Sequence, residues 1–370
     1  MRFITLFVMI AALTFPSVAQ TSKNDKKKTA NELGVVAGGV IYSLPRTGIR
    51  ITVEVEQEKY FRGPYADYAQ KYLGIKGSSA TDYDNWSFTG VKMETFGEPD
   101  PTEVYKASGS VASLLSLTES GILAGINSEV KTGSEKVYTS DFTPKLKVPL
   151  QVWDDVSMHS FLAEKDSIVQ AGTKFKSFEE KAAEAAKDIL KLRKRKALAL
   201  AANYDKLPPD GDAYKVMVKE LDNIIENYVA LFTGKTFKAK YSYTFEVVPQ
   251  GKGSNAVVAF RFSPSAGVLP ENNVSGKPIM LELEPLDGIN QKAGQLAIPA
   301  AGETHTKGVN YRVPGFANVR LLNGSEVIAQ SRFALGQLGS VTTIPDGLLN
   351  GDYTIEFHPT TGAIKNIMTY

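Results

Sequence analysis

Residues 177–202 read SFEEKAAEAAKDILKLRKRKALALAA, and this stretch decides the fold predicted for the chain. Its start, Ser177 to Glu180, has the S-x-x-E spacing of a capping box, in which two free backbone amides at a helix start find side-chain partners. No glycine or proline follows, and small or apolar residues recur at helical spacing, so we predict a helix over 178–202. The predicted buried stripe of this helix consists of Ala182, Ala185, Ala186, Ile189 and Leu192.

A second helical segment follows after a short loop. The stretch 207–211 (LPPDG) interrupts the first helix, and residues 213–232 again carry apolar side chains every three or four positions. Gly234 is a suitable C-cap, because glycine adopts the left-handed conformation that often ends a helix. Two long amphipathic helices joined by a short loop pack antiparallel. We therefore assign residues 173–234 to a helical hairpin.

Sequence typical of β-strands lies on the N-terminal side of this hairpin. The runs 35–44 and 49–55 are rich in β-branched residues, and the second alternates apolar with polar positions. The segment 45–48 (PRTG) separates them, which predicts a β-hairpin. Proline near the start and glycine after the end predict a short helix over 64–73. Further strands are predicted at 86–96, 104–107, 114–118 and 122–126.

The sequence on the C-terminal side of the hairpin is also of β type. Asn323-Gly324 is a strong signal for a two-residue hairpin turn. Strands are predicted at 237–248, 256–262, 279–283, 317–322, 327–333, 353–357 and 363–370. Many short strands separated by turn signals are typical of a sandwich. The predicted fold class is therefore mainly β (α+β), with two β-rich sandwich-like domains, 34–172 and 235–370, and the antiparallel helical hairpin inserted between them.

The N-terminus has the pattern of a secretory signal peptide. Arg2 precedes an apolar run, and the small-residue pattern at 17–19 (SVA) predicts removal of residues 1–19. A membrane anchor is the alternative, but the run is short for a bilayer core of about 30 Å. Residues 20–33 are polar and lysine-rich, which indicates a flexible linker. We expect an exported protein of the periplasm or cell surface, with no transmembrane span after cleavage.

Four segments carry a resemblance to a known family. They are 60–74 (YFRGPYADYAQKYLG), 98–101 (EPDP), 193–196 (RKRK) and 357–365 (FHPTTGAIK). The chain resembles an exported Bacteroidetes family of unknown function, domain of unknown function 4831, over nearly its whole mature length. The resemblance implies an address in a Gram-negative cell envelope. It implies no activity and no functional residues.

Composition and motifs exclude several classes of chemistry. The absence of cysteine removes thiol nucleophiles, disulfides and cysteine metal sites, and a net charge of +2 gives no general attraction to nucleic acid. There are only three histidines, and no HExxH, Walker A or G-x-S-x-G motif. We therefore assign no catalytic residue, metal, cofactor or nucleic-acid partner, although a serine triad built from distant residues stays open.

Aromatic residues give the best indication of a binding site. Tyr65, Tyr68 and Tyr72 fall at i, i+3 and i+7 on one face of the predicted short helix, and Trp86 follows in the next strand. Tyrosine and tryptophan combine an apolar body with a polar edge, which suits contact with glycan or protein. The alternative is that this face docks the helix on the sheet. Separately, the Asp-Ser-Ile sequence at 166–168 marks Ser167 as a possible O-glycosylation site.

Two functions follow as hypotheses. The first is a non-catalytic binding or assembly component of the cell envelope, with an envelope protein or a glycan as its partner. The alternative is an envelope hydrolase that cleaves glycan or peptide with dispersed acidic or serine residues. A hydrolase requires a concave pocket in which several reactive groups converge, whereas a binding module requires only an exposed recognition surface.

Overall fold

The computed structural model describes residues 35–36, 38–129, 138, 142, 146–149, 152–153, 176–201, 211–250, 255–297, 308–345, 349 and 352–369. The predicted signal peptide (1–19), the predicted linker (20–33) and Ser167 lie outside these residues. The described chain is mainly β, with three antiparallel sheets and a pair of long helices, which confirms the predicted fold class at this level.

The helices and strands follow one another along the whole described chain. In order they are β1 (Val35–Val36), β2 (Gly39–Phe61), α1 (Ala69–Leu73), β3 (Tyr83–Ala107), β4 (Leu115–Leu117), β5 (Leu123–Ile126), α2 (Phe178–Leu200), α3 (Gly211–Thr233), β6 (Lys235–Val247), β7 (Asn255–Ser263), β8 (Gly267–Leu269), β9 (Lys277–Pro285), α4 (Asp287–Ala297), β10 (Gly308–Asn323), β11 (Glu326–Pro345), β12 (Tyr353–Phe357) and β13 (Ile364–Thr369). Short 3-10 helices occupy Ala66–Tyr68 and Gly109–Leu114.

The first sheet is built on β2, which is one continuous strand. It pairs with β3 on one side and with β1 and β6 on the other. The prediction of a hairpin turn at 45–48 was therefore wrong. Pro45 follows a β-bulge, where a missing amide is tolerated, and Gly48 leaves the space that the Phe96 ring occupies. The predicted turn residues are a bend within β2.

The other two sheets complete the β structure. The second sheet has the order β11-β10-β9-β7-β8, and the third has the order β13-β12-β5-β4. The hairpin predicted at Asn323-Gly324 is present, but its turn lies one residue later: Asn323 pairs with Glu326, and the two residues between them are Gly324, with φ +63°, and Ser325. The turn before β13 is closed by a hydrogen bond from Gly362 N to His358 O at 2.7 Å.

The sheets cross the predicted domain boundaries. β6, which follows the helical pair, pairs with β2 from Ile49 to Phe61, and β12 pairs with β5. The long strands also line two cores. One core lies between the first and second sheets, and the other lies between the opposite halves of the same long strands and the third sheet. The β-structure before 172 and after 235 is therefore not divided between separate sheets.

The predicted helical pair is present. α2 begins at the predicted capping box, with Ser177 and Glu180 each bonding the backbone amide of the other. It ends at Leu200, two residues earlier than predicted. α3 ends at Thr233 and is followed by Gly234, whose φ is +89°, in agreement with the predicted C-cap. The first half of α2, the end of α3, and the segment around α1 enclose a third hydrophobic cluster. Within the described residues no helix is both long and apolar enough to cross a bilayer.

A polar joint lies where the three sheets meet. We use this name for the side chains of Thr47, Asp100, Arg312 and Gln337, on β2, β3, β10 and β11. Arg312 Nη2 donates to Asp100 Oδ2 at 2.5 Å, and both side chains are more than nine-tenths buried. Gln337 binds both the backbone N–H and the backbone C=O of Thr47, at 2.9 and 2.8 Å. The joint therefore links the bend of β2 to the second sheet.

Candidate functional site

The three tyrosines of the predicted aromatic site lie against the helical pair. Tyr65 is only 3% exposed, and its ring packs on Phe178 and Phe232 with centroid distances of 5.6 and 5.5 Å. Tyr68 and Tyr72 are half-buried and border the same cluster. The short helix is thus docked by its tyrosine face, but on α2 and α3 rather than on the sheet. Tyr65 belongs to the core, whereas ligand binding by Tyr68 and Tyr72 stays a prediction.

The polar edge of this contact is formed by Glu179 at the start of α2. It accepts a hydrogen bond from the Tyr72 hydroxyl at 3.1 Å and forms an ion pair with Lys71. Hydrogen bonds from Lys71 and Tyr72 lower the pKa of Glu179 below its usual value. The contact therefore favours the ionised carboxylate.

Removing the Tyr72 hydroxyl tests how much this edge contributes. We expect Tyr72→Phe to lower the free energy of unfolding by less than about 1 kcal/mol, because a single, partly buried hydrogen bond is lost and the ring stays in place. Urea unfolding measures the change. Tyr68→Phe is the matched control, since no hydrogen bond of its hydroxyl joins α1 to α2 among the described residues. A loss of several kcal/mol in Tyr72→Phe would contradict this account.

Trp86 occupies a different part of the molecule. Its ring packs against the core between the first and second sheets, 4.8 Å from the ring of Tyr241, and lies directly over Gly267. Its backbone N–H donates to the backbone oxygen of Pro264 at 2.8 Å. The structure thus brings Tyr65, Tyr68 and Tyr72 together but not Trp86. The four predicted residues do not form one site.

A polar cleft of about 550 Å³ opens on the outer face of the second sheet. Side chains alternate along β10, so that Val319 and Leu321 point into the core while Asn318 and Arg320 point outward. The residues lining this polar cleft are Glu284, Asn318, Arg320, Gln330, Ser331 and Arg332. They come from β9, β10 and β11, three strands that are neighbours in the sheet.

Strand register arranges most of these side chains in two rows across the sheet. Asn318 lies opposite both Glu284 and Arg332. Arg320 lies opposite Gln330 on one side and Glu282 on the other. The rows are about 7 Å apart along each strand, and neighbouring strands are about 5 Å apart. The result is a flat array of amide, guanidinium and carboxylate groups.

Charges within the cleft are paired with each other. Arg320 Nη2 lies 3.1 Å from a Glu282 oxygen and 3.9 Å from a Glu284 oxygen. Arg332 Nε donates to Asn318 Oδ1 at 3.4 Å. The Nε of Arg320 is buried and has no hydrogen-bond partner among the described residues. The array therefore fixes the central arginine while leaving Arg332 and Gln330 exposed.

The aromatic residue Phe316 lies next to the cleft residues on β10, and α4 holds its backbone. Asn290 of α4 donates to the backbone oxygen of Phe316 at 3.1 Å and accepts from its backbone N–H at 2.7 Å. Phe316 lies two residues before Asn318 on β10, on the same face of the sheet, and about a third of it is exposed. An apolar ring thus stands beside the polar array.

The lining of the cleft holds one carboxylate, Glu284, which lies 3.9 Å from Arg320 Nη2, and no histidine. Among these residues Ser331 therefore has no histidine beside it to act as a base. No group of three His, Asp or Glu side chains in the described part of the chain is suitable for a metal ion. The alternation of polar residues along each strand predicts which side chains face outward. It does not predict the cleft, because strand register, which brings the side chains of β9, β10 and β11 together, depends on residues far apart in the sequence.

Comparison with known proteins identifies one family. No curated protein matches the chain, and no solved structure matches it. A family model described as a domain of unknown function, DUF4831, matches residues 38–365. That range contains every described strand from β2 to β12, both long helices and the polar cleft. The chain therefore belongs to the DUF4831 family.

Proposed function

We propose that this protein is an exported, non-catalytic component of the cell envelope that binds a glycan in the polar cleft. The observation that carries the proposal is the two-row array around Arg320, in which strand register places amide and guanidinium side chains next to one another on one face of the sheet. Sugar hydroxyls both donate and accept hydrogen bonds, and these planar groups offer both donors and acceptors at short, regular intervals.

The aromatic border of the cleft supports a glycan over other polar ligands. A sugar ring has an apolar C–H face as well as hydroxyls, and an aromatic side chain packs against such a face. Phe316 is placed for that contact beside the array. Export rests on the N-terminal sequence 1–19, whose charge and apolar run are those of a signal peptide.

Binding of oligosaccharides by the purified protein tests this function. We expect a panel of neutral and acidic oligosaccharides to include ligands detected by calorimetry. Arg320→Ala and Arg332→Ala should each weaken their binding about tenfold or more, because each removes a charged hydrogen-bond donor. Lys76→Ala is the matched control, since Lys76 is an exposed cation outside the cleft, and it should bind as the parent does.

Two outcomes would contradict the proposal. One is an absence of binding to every oligosaccharide by a correctly folded protein. The other is equal affinity of Arg320→Ala, Arg332→Ala and the parent. Chain shortening of the oligosaccharides during the measurement would favour the hydrolase over the binding protein.

A further inference from the structure

The distal half of α2 carries an exposed face of unusual composition. Leu190 and Leu200 are each 57% exposed and Leu198 is 38% exposed. Leucine is a residue that folded proteins normally bury. Three exposed leucines therefore lie within eleven residues of one helix.

Cations lie between these leucines. Arg193, Lys194 and Arg195 are exposed, and the described chain holds no ion-pair partner for them. The flanking lysines differ, because Lys191 pairs with Asp188 at 3.0 Å and Lys196 pairs with Asp222 of α3. The unpaired positive charge is thus concentrated at 193–195.

Helical spacing places most of these residues on one side of α2. At 100° per residue, Leu190, Arg193, Lys194, Ala197, Leu198 and Leu200 fall within an arc of about 160°. Ala199 and Lys196, which face α3, lie on the other side. We call the six residues the distal face.

Nearer the N-terminus of α2, the same side of the helix is buried against other residues. There Ala182 and Ala186 are buried in the cluster that contains Tyr65 and Ala69. Beyond that cluster, leucines and cations replace the alanines. The change in composition along one side of the helix indicates a second type of contact, with a different partner.

We propose that the distal face docks on the surface of an anionic lipid bilayer. Helices that lie in the bilayer interface combine apolar side chains with lysine and arginine. Each cation near an anionic surface adds to the attraction, and leucine side chains gain by leaving water. A second copy of the chain fits less well, since two identical faces would bring Arg193 and Lys194 against their own counterparts. This docking does not depend on glycan binding in the cleft.

Vesicle binding by the full chain tests the proposal. We expect co-sedimentation with phosphatidylcholine vesicles that contain phosphatidylglycerol, little with phosphatidylcholine alone, and weaker binding as salt is raised. The triple variant Arg193→Glu, Lys194→Glu, Arg195→Glu should bind at least tenfold more weakly. Leu190→Ser with Leu200→Ser should also weaken binding without any change of charge.

The controls keep the result specific to the distal face. The control is a second triple variant, Lys76→Glu, Lys277→Glu, Lys292→Glu, which makes the same change of charge at exposed positions elsewhere. It should retain far more binding than the triple variant at 193–195. Circular dichroism establishes that each variant keeps its helices. If the charge reversal disturbs α2, then Arg193→Gln, Lys194→Gln replaces it.

Three results would overturn the docking. The first is equal binding to neutral and anionic vesicles. The second is an equal loss of vesicle binding in the triple variant at 193–195 and in the control variant. The third is self-association through the distal face without vesicle binding. Sedimentation velocity measures the self-association. Failure of glycan binding leaves each of these measurements unaffected, so the two proposals fail separately.

Discussion

Asp100→Asn is expected to lower the free energy of unfolding by about 3–5 kcal/mol. Asp100 and Arg312 are both buried, and their ion pair at 2.5 Å belongs to the polar joint. The amide keeps the size of the side chain but removes its charge, which leaves the Arg312 guanidinium buried without a counter-ion. An uncompensated buried charge is one of the most destabilising changes that a single substitution makes.

Urea unfolding of three variants, each compared with the parent, tests this expectation. Glu98→Gln is the control, because it breaks the neighbouring but partly exposed pair with Arg46, for which a loss below about 1 kcal/mol is expected. In the double variant Asp100→Leu, Arg312→Met no buried charge remains, so much of the stability should return. Equal, small losses in Asp100→Asn and Glu98→Gln would show that the buried pair contributes no more than an exposed one.

The same pair predicts a dependence of stability on pH. Burial raises the pKa of Asp100, but hydrogen bonds from Thr102 and the charges of Arg312 and Arg46 outweigh it and leave the pKa lower than usual. A carboxyl whose pKa is lower in the folded state stabilises it above the unfolded pKa, about 4, and this contribution disappears as pH falls through the folded pKa. The parent should therefore lose more stability in acid than Asp100→Asn does.

Thr47→Val is expected to lower the free energy of unfolding by about 2–4 kcal/mol, although the two side chains have the same shape. Thr47 is fully buried, and its hydroxyl donates to the backbone oxygen of Thr360 at 2.7 Å. It also accepts from the backbone N–H of Gly336 at 2.9 Å. Valine leaves both backbone groups without this partner, and each such buried group costs about 1–3 kcal/mol.

Two further substitutions isolate the effect of the hydroxyl. Thr47→Ser keeps both hydrogen bonds and should lose less stability than Thr47→Val. Thr52→Val makes the same exchange on the outer face of β2, where a change within about 0.5 kcal/mol is expected. If Thr47→Val and Thr52→Val had equal effects, the hydroxyl would not hold the three sheets together.

The local features of the fold followed from short stretches of sequence. The capping box at Ser177 and Glu180 was correctly predicted because both hydrogen bonds form within one helical turn. The hairpin at Asn323-Gly324 was predicted to within one residue because a few adjacent residues determine such a turn, which lies at Gly324-Ser325. Alternating apolar residues identified the core strands for the same reason, since the two faces of a strand are set by adjacent positions.

The errors lie where distant residues decide the conformation. Pro45 to Gly48 has the composition of a turn, yet β3 pairs across it and Thr360 and Gly336 bind Thr47, so the chain continues as one strand. Tyr65 has the spacing of a binding face, but Phe178 and Phe232, more than a hundred residues later, enclose it. Tertiary contacts outweigh local preference in both segments.

The sequence alone determined that this chain is mainly β, that it lacks cysteine chemistry and that a capped helical pair interrupts its strands, because each of these depends on composition or on neighbouring residues. Two features depend on tertiary contacts: strands from before and after the helical pair belong to the same sheets, and a polar cleft surrounds Arg320. Sheet pairing joins residues far apart in the chain, such as Ile49 with Val247 and Arg320 with Glu282. No local pattern specifies those partners, because register depends on the burial of a whole face at once.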